Sequence, residues 1–410
     1  MPPDVVTVAH QQPEWPDPDQ ARQVRNFLRT CPVLVGPDDV LALRAFLGRV
    51  AAGEAYVLQA GDCAEPTEEC DATHVRRKME LINLMAATMR ERLPCPVLRV
   101  GRIAGQFTKP RSNPTETVGG LTLPAYRGHL VNGPNPDATS RQPDPLRIIS
   151  GYAAAGGGMS HLGWPRPEPL TWSTIESAVW SSHEALLLDY EMPLTREMPD
   201  GRRWLGSTHW PWIGNRTRQL DGAHVALMSS IVNPVACKVG PGMDPTELVA
   251  LCDRLDPRRE PGRLTLITRM GADRIANELP RLVQRVRAAG HPVIWLCDPM
   301  HGNTVLATGG RKTRTLTAMT REVQLFTEAV AQAGGVAGGL HLEVTPQDVT
   351  ECVASDSELA QVAGPYTSYC DPRLNPQQAV ALVQAWSPAR RLAPATVGPN
   401  NTTHPTSDLR

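Results

Sequence analysis

The chain has 410 residues and a formal charge of -1; at roughly 100–200 residues per domain it holds two or three domains, or one large α/β barrel with extensions. The near-neutral balance gives no whole-chain argument for nucleic acid or a membrane surface, no apolar run approaches the roughly 20 residues of a membrane helix, and the opening MPPDVVTVAHQQPEWPDPDQ lacks a secretory pattern. Nine cysteines without a CxxC pair argue against a disulfide scaffold or zinc ribbon and for a reducing cytoplasm.

The first fifty residues begin rich in proline and acid, then carry helical spacing over 19–28 and 38–50, closing on Gly53 as a C-cap signal. Residues 1–50 are expected to be an extension packed on a main domain at 51–390, with 391–410 a disordered tail. Residues 55–59 read as a strand running into AGDCAEP, so Asp62, Cys63 and Glu65 follow it. A helix over 74–92 has an apolar face, and a strand over 96–100 runs into GRIAGQFTKPRS, with Arg102, Lys109 and Arg111. The connection 112–145 is long and rich in Pro, Gly and Asn, the kind that is usually functional or disordered.

A helix is expected over 147–162 and a proline-rich break over 164–171. SSHEALLLDYE at 181–191 fits a short helix or a strand near the core. Residues 202–207 read as a strand leading into THWPWIGNRTRQLDGAH, followed by a helix over 222–231 and a strand over 234–239 with Lys238. Then come a helix over 244–255, a strand over 263–268 stopping at Arg269, and a helix over 273–289. The strand 292–297 runs into Asp298, His301 and Asn303. A helix over 316–333, a strand over 339–344 with His341 and Glu343, CDPR at 370–373 and a helix over 377–386 complete the pattern. Alternating strands and helices predict a parallel sheet.

Strands that stop on Cys63, Arg102, Lys238, Arg269, His301 and Glu343 spread chemistry over many strand ends. An open doubly wound sheet gathers functional ends at one switch point; a closed (β/α)8 TIM barrel turns them all to one mouth, and is the expected fold. Cys63, His301, Glu343 and Asp371 offer sulfur, imidazole and carboxylate donors, a mixture that suits Mn2+, Co2+, Fe2+ or Zn2+. Their separation leaves open the plainer alternative of a buried thiol, a rim histidine and two solvated acids. Arg102, Lys109, Arg111, Arg216, Lys238 and Arg269 form a cationic set. Guanidinium forks match phosphate and carboxylate, which points to substrates with several negative charges. Ordinary surface placement is the alternative for each, weakest for Lys238 and Arg269, which follow apolar strands directly. Trp210 and Trp212 can wall a pocket or fill a core. His183, His209, His224 and His341 read as hydrogen-bonded structural histidines.

QAGDCAE, RVGRIAGQFTKPRS, SSHEALLLDYE, STHWPWIG, TRQLDGAH, NPVACKVGP, LTLITRMG, DPMHGNT, LHLEVTPQDVTEC and CDPRLN stand in that order from Gln59 to near Trp386. As a set they resemble the type II 3-deoxy-D-arabino-heptulosonate 7-phosphate synthases, and the QQPEW opening is most similar to the phenazine-cluster members, which serve secondary metabolism. The resemblance implies a barrel enzyme condensing phosphoenolpyruvate with erythrose 4-phosphate at the head of a shikimate-type pathway. Its cofactor would be Mn2+ or Co2+, with Zn2+ or Fe2+ as alternatives, and a cytoplasmic homodimer is expected. It implies that Cys63, His301, Glu343 and Asp371 hold the metal. Arg102, Trp212, Asn215, Arg216, Lys238 and Arg269 fall at the phosphoenolpyruvate site, and Lys109, Arg111 and Ser112 at the aldose phosphate site. Lys238, Arg102 and His301 carry catalysis, Lys238 as proton donor or relay.

Two departures stand out. Asn215 occupies a place where an acid is expected, and His129 follows Tyr126-Arg-Gly where Asp is common. They leave open an altered, for example amino-substituted, aldose phosphate, or a non-catalytic scaffold. Cys370, beside Asp371, is expected to pair oxidatively with Cys63 in metal-free protein. Primary-metabolism members of the family it resembles carry extra N-terminal and inserted elements that bind aromatic amino acids. This chain is short in those places, so the resemblance implies little or no inhibition by Trp, Phe or Tyr.

Overall fold

The computed structural model describes residues 8–93, 95–166, 171–362 and 364–388; the expected tail at 391–410 lies outside them. Eight parallel strands close into a barrel. They are β1 (Tyr56–Gly61), β2 (Val97–Arg102), β3 (Val179–Glu184), β4 (Trp210–Ile213), β5 (Val235–Val239), β6 (Leu264–Thr268), β7 (Ile294–Cys297) and β8 (Val336–Glu343). Each pairs with the next in chain order, and β8 returns to pair with β1. Every residue of β3 to β7 is buried. This is why β5 to β7 read as near-continuous apolar runs rather than as alternating ones: the interior fills one face and helices cover the other. The fold is a (β/α)8 TIM barrel.

The helices Ala72–Arg90, Arg147–His161, Ala223–Ser230, Pro245–Leu255, Ile275–Ala288, Leu316–Gln332 and Pro376–Gln384 follow the strands. Several start on side-chain caps that satisfy free backbone N–H groups. Asp71 accepts from Thr73 and His74, Asp244 from Thr246 and Glu247, and Asn375 from Gln378. Two helices, Pro18–Thr30 and Pro37–Ala51, precede the first strand, each with a proline in its first turn, where the missing N–H costs nothing.

The structure corrects or refines the sequence reading in three places. The strand expected at 202–207 is Arg203–Leu205, and it pairs with Thr195–Glu197 in a small antiparallel sheet outside the barrel. The barrel strand is the next stretch, Trp210–Ile213, where Pro211 sits in register with His183; proline inside a strand argues against strand on sequence grounds. SSHEALLLDYE holds both of its offered readings, since β3 ends at Glu184 and a helical turn follows at Leu188–Glu191. The long 112–145 connection contains a hairpin, Thr115–Val118 with Leu121–Pro124.

Closure depends on glycine at one point. Gly339 has φ 148°, and a Cβ there would lie 1.9 Å from the Val57 carbonyl oxygen. Only glycine lets the last strand lie against the first in that backbone geometry.

Candidate active site

Every expected site residue except Glu343 lines one cleft of about 370 Å³ at the C-terminal mouth of the barrel. Glu343 is fully buried, and its carboxylate meets that lining from below through Arg102 and His301. The strand ends explain the convergence. Arg102 and Glu343 are the last residues of β2 and β8, Lys238 is the penultimate residue of β5, and Arg269 directly follows β6. Register places Gly61 beside both Arg102 and Glu343, so Cys63, two residues on, comes next to Glu343.

Cys63, Glu343 and Asp371 each bring one donor atom within 4.8 Å of the others. His301 adjoins this group through Glu343, its Nε2 lying 3.3 Å from Oε1. His301 Nδ1 lies 2.8 Å from Asp298 Oδ2; with its proton donated there, Nε2 is left as the free donor atom. Glu343 is opposed by burial, but His301, Lys109 and Arg314 hold its carboxyl well below the usual range. Asp371 is likewise held down, chiefly by Lys109 against the cost of burial. Burial, the Cys370 thiol and the charge of Glu343 push the Cys63 thiol well up. A thiolate there is costly until more positive charge arrives. A crowded S, N and O donor set of this kind fits a borderline divalent ion. The Cys63 and Cys370 thiols are in hydrogen-bond contact, which lowers the Cys370 pKa.

Lys109 lines the same cleft as Arg111 and Ser112, and its ammonium reaches the donor group, 2.6 Å from Asp371 Oδ2 and 2.7 Å from Cys63 Sγ. The loop after β2 runs back over the mouth, pinned by the Lys109 N–H donating to the Arg127 carbonyl, so the side chain hangs over the donors. Those anions hold its ammonium well above the usual lysine range, despite burial.

Beside these donors the cleft is cationic. Arg102 donates to Glu343 at 3.2 Å, lies 3.1 Å from His341 Nε2 and rests over the Trp212 ring. His341 Nδ1 meets Gln59 Oε1 at 2.6 Å, and Gln59 donates to Ser182. His341 thus orients Arg102 as an acceptor. Lys238 lies 2.9 Å from Asp298 Oδ2; burial lowers its pKa, and Asp298 offsets part of that. One carboxylate, Asp298, therefore aligns both His301 and Lys238. Arg269 donates to the His301 carbonyl at 3.3 Å. At the outer end, Arg216 donates to the Ser112 hydroxyl, and Arg111 is engaged by Glu116 and Cys370.

Of the two departures, Asn215 lines the cleft and accepts from Arg218, whose guanidinium takes its carboxylate partner from Glu247 at 2.5 Å. His129 is buried against Tyr126 and Tyr369 and does not line the cleft. Trp212 lines the cleft, whereas Trp210 is buried in the core.

Four residues beyond the sequence reading belong to the site. Glu184, the last residue of β3, lines the cleft with Oε1 lacking a hydrogen-bond partner among the described residues, and burial raises its pKa. Gly214 leaves it room, since a Cβ there would lie 2.3 Å from Oε1. Arg314 pairs with Glu343 at 2.8 Å and Lys312 with Asp371 at 2.8 Å. Gln106 lines the cleft and accepts from the Glu184 N–H. Glu184 had a weaker signal, an acid closing the SSHE stretch that was open to a strand reading; Arg314 and Lys312, in an irregular polar stretch, had none.

Comparison with known proteins accords with this geometry. A Pseudomonas fluorescens protein named "Probable phospho-2-dehydro-3-deoxyheptonate aldolase" is 56% identical over 381 residues, 92% of this chain and 94% of that one. A Streptomyces coelicolor phospho-2-dehydro-3-deoxyheptonate aldolase is 42% identical over 422 residues, covering 91% and 93%. A solved Francisella tularensis phospho-2-dehydro-3-deoxyheptonate aldolase aligns with TM-score 0.50 and 13% identity over 94% of this chain and 99% of that one, a likeness of fold. The model of the Class-II DAHP synthetase family matches residues 6–164 and 168–386. The chain belongs to the class-II DAHP synthetase family.

Proposed function

We propose that this chain joins phosphoenolpyruvate, erythrose 4-phosphate and water to give 3-deoxy-D-arabino-heptulosonate 7-phosphate and inorganic phosphate. The observation that carries the reading is the composition of one cleft. Sulfur, imidazole and carboxylate donors lie directly beside Arg102, Lys238 and Arg269, and Arg111, Ser112 and Arg216 line the same cleft. The names of the relatives point to the same reaction.

Cys63, His301, Glu343 and Asp371 would hold a divalent ion that would supply Lewis-acid polarisation of the aldehyde oxygen: Mn2+, Co2+, Fe2+ or Zn2+ by their mixed chemistry, and Mn2+ or Co2+ by the family resemblance. Arg102, Arg269 and Lys238 neutralise the carboxylate and phosphate of phosphoenolpyruvate and fix its methylene carbon toward the aldehyde, with Trp212 walling that side and Asn215 and Arg216 at its edge. Arg111 and Ser112 take the aldose phosphate. The methylene carbon bonds to the aldehyde carbon, whose oxygen gains a proton and becomes a hydroxyl. Water oxygen then bonds to C2 and gives up a proton. The C2–O bond to phosphate breaks, the second proton of the added water passes to the leaving phosphate, and C2 keeps the new oxygen as a ketone. Lys238, its pKa lowered by burial, donates or relays the proton, aligned by Asp298.

The intact donor and cationic sets support catalysis over a scaffold role, and the QQPEW opening supports service to secondary metabolism. A cytoplasmic homodimer remains the expected assembly; among the described residues no helix is long and apolar enough to cross a membrane. The test is loss of the phosphoenolpyruvate absorbance with erythrose 4-phosphate and Mn2+ or Co2+, abolished by EDTA. Consumption only with an amino-substituted aldose phosphate would move the reading to that substrate. No consumption with either would end it.

A further inference from the structure

The stretch before the first helix is a strap across three loops at the barrel mouth. The Val8 carbonyl accepts from the Ala223 N–H at 3.0 Å, beyond β4. Gln12 donates to the Leu186 carbonyl at 2.9 Å and accepts from the Leu188 N–H at 2.9 Å, beyond β3. Trp15 donates to Asp189 at 2.6 Å. The third attachment is to the loop after β2. Arg127 donates to the Gln11 carbonyl at 3.1 Å and the Gln12 carbonyl at 3.5 Å, and the Gln11 side-chain oxygen accepts the Arg111 N–H at 2.9 Å.

Gln11 carries unusual backbone geometry. Its φ is 62°, a region that non-glycine residues occupy at a cost and keep only where the surroundings over-determine it. Here the two carbonyls gripped by Arg127 turn the strap so that the Gln11 side chain reaches Arg111. A hollow of about 200 Å³ beside the main cleft is lined by Gln11 of the strap and Arg127 of the loop after β2, and shares Arg111, Ser112 and Asn113 with the cleft. The Arg111 guanidinium is already engaged by Glu116 and Cys370. Gln11 adds a hold on the backbone of that same residue.

We infer that Gln11 is a positioning residue for the second substrate: it fixes the Arg111 backbone and so presents Arg111 and Ser112 to the phosphate of the aldose. The inference rests on the proposed reaction. A segment outside the barrel thereby sets affinity for one of the two substrates and leaves the other alone, because the phosphoenolpyruvate contacts Arg102, Lys238 and Arg269 stand on strands or immediately after them.

The test is steady-state kinetics of the full chain with Gln11→Met, which keeps the length and removes the acceptor. KM for erythrose 4-phosphate rises about three- to tenfold, the effect of one half-buried hydrogen bond. KM for phosphoenolpyruvate and the ion requirement stay as in the wild type. Amide exchange over 109–113 accelerates while the barrel strands keep their protection. Gln12→Met is the control, because it loosens the strap without touching Arg111, and it leaves the KM for erythrose 4-phosphate near wild type. If the strap is structural alone, both variants melt earlier and both KM values move together; that result overturns the inference, as does an unchanged KM for erythrose 4-phosphate in Gln11→Met. Should that variant fail to fold, Gln11→Gly, which accepts the left-handed backbone, gives the same comparison. A wild type that consumes no phosphoenolpyruvate with erythrose 4-phosphate overturns the reaction and this inference together. An active wild type with neutral Gln11 variants overturns the positioning role alone.

Discussion

Asp62 and Cys63 are adjacent on the loop after β1, yet they face two charge clusters of different kinds. Cys63 looks into the cleft, among Glu343, Asp371 and Lys109. Asp62 looks the other way, into a sealed network. There Lys78, on the helix Ala72–Arg90, lies 2.8 Å from Asp62, 3.1 Å from Glu65 and 2.9 Å from Glu69. Arg373 joins Asp62 at 2.7 Å to Glu351 at 3.0 Å. Burial pulls the Lys78 ammonium down, but the three carboxylates outweigh it and hold it well above its usual value. Lys78 and Arg373 likewise hold the Asp62 carboxyl below its usual range against burial. The sealed cluster spends its charges on one another. The open cluster has one side facing the cleft, where a ligand can complete it. The same residue types thus serve structure on one side of a single peptide bond and chemistry on the other, and access decides which.

That contrast can be broken from either side. The largest expected effect is on catalysis. Cys63→Ala lowers turnover on the order of 10³-fold by removing one donor to the ion, while the melting temperature of the metal-free protein stays within a few degrees, about the effect of a modest change at a buried but replaceable thiol. Kinetics and calorimetry on the same preparation check it, and a large loss of stability would mean the open cluster is structural too. The reverse holds for Lys78→Met. Leaving buried carboxylates unpaired costs about 3–5 kcal/mol of stability, read by denaturant unfolding, while KM for phosphoenolpyruvate in the folded enzyme is unchanged. Next is Asp298→Asn, which sharpens the contrast inside the cleft. It weakens the hold on both His301 and Lys238, and is expected to cost about 10–100-fold in turnover or metal affinity, as for partners of metal-bound histidines. Metal titration followed by thermal stability separates the two.

The smallest effect calibrates the acid limb before the clusters are compared across pH. His209 is packed between Trp164 and Trp180, and its Nδ1 accepts from Ser181; burial lowers its pKa to about 3. Unfolded, it binds a proton below its ordinary value of 6.5, so the folded state loses stability as pH falls from there toward 3. The slope contributed is at most about 1.4 kcal/mol per pH unit. Unfolding free energies from pH 7 down to about 5 should fall less steeply in His209→Asn than in the wild type; equal slopes would mean that His209 is not held neutral.

Much of the site was legible because chemistry sits at strand ends. An apolar run that stops on Lys238, Arg269 or Glu343 announces both the strand and its mouth. What escaped was set by contacts that leave no local pattern. Pro211 disguised β4, and the fitting apolar stretch at 202–207 went to a surface hairpin. Lys109 lies in a loop whose path, not its composition, decides which end of the cleft its ammonium reaches. Lys78 and Glu65 sit in or near a helix with ordinary amphipathic spacing, and nothing in that spacing says the lysine is buried. Asp298 read as one of the polar residues after its strand, with nothing to show that it bridges His301 to Lys238.

Gly339 has a bearing on more than packing. It allows the final strand to zip onto the initial one, and the same seam sets Gly61 opposite Glu343. Cys63 and Glu343 are donated by the two ends of that ring, so a cation gripping both would rivet the seam. Ring closure and ion occupancy then share one free energy, and the protein's resistance to unfolding should climb with the concentration of the divalent ion it prefers.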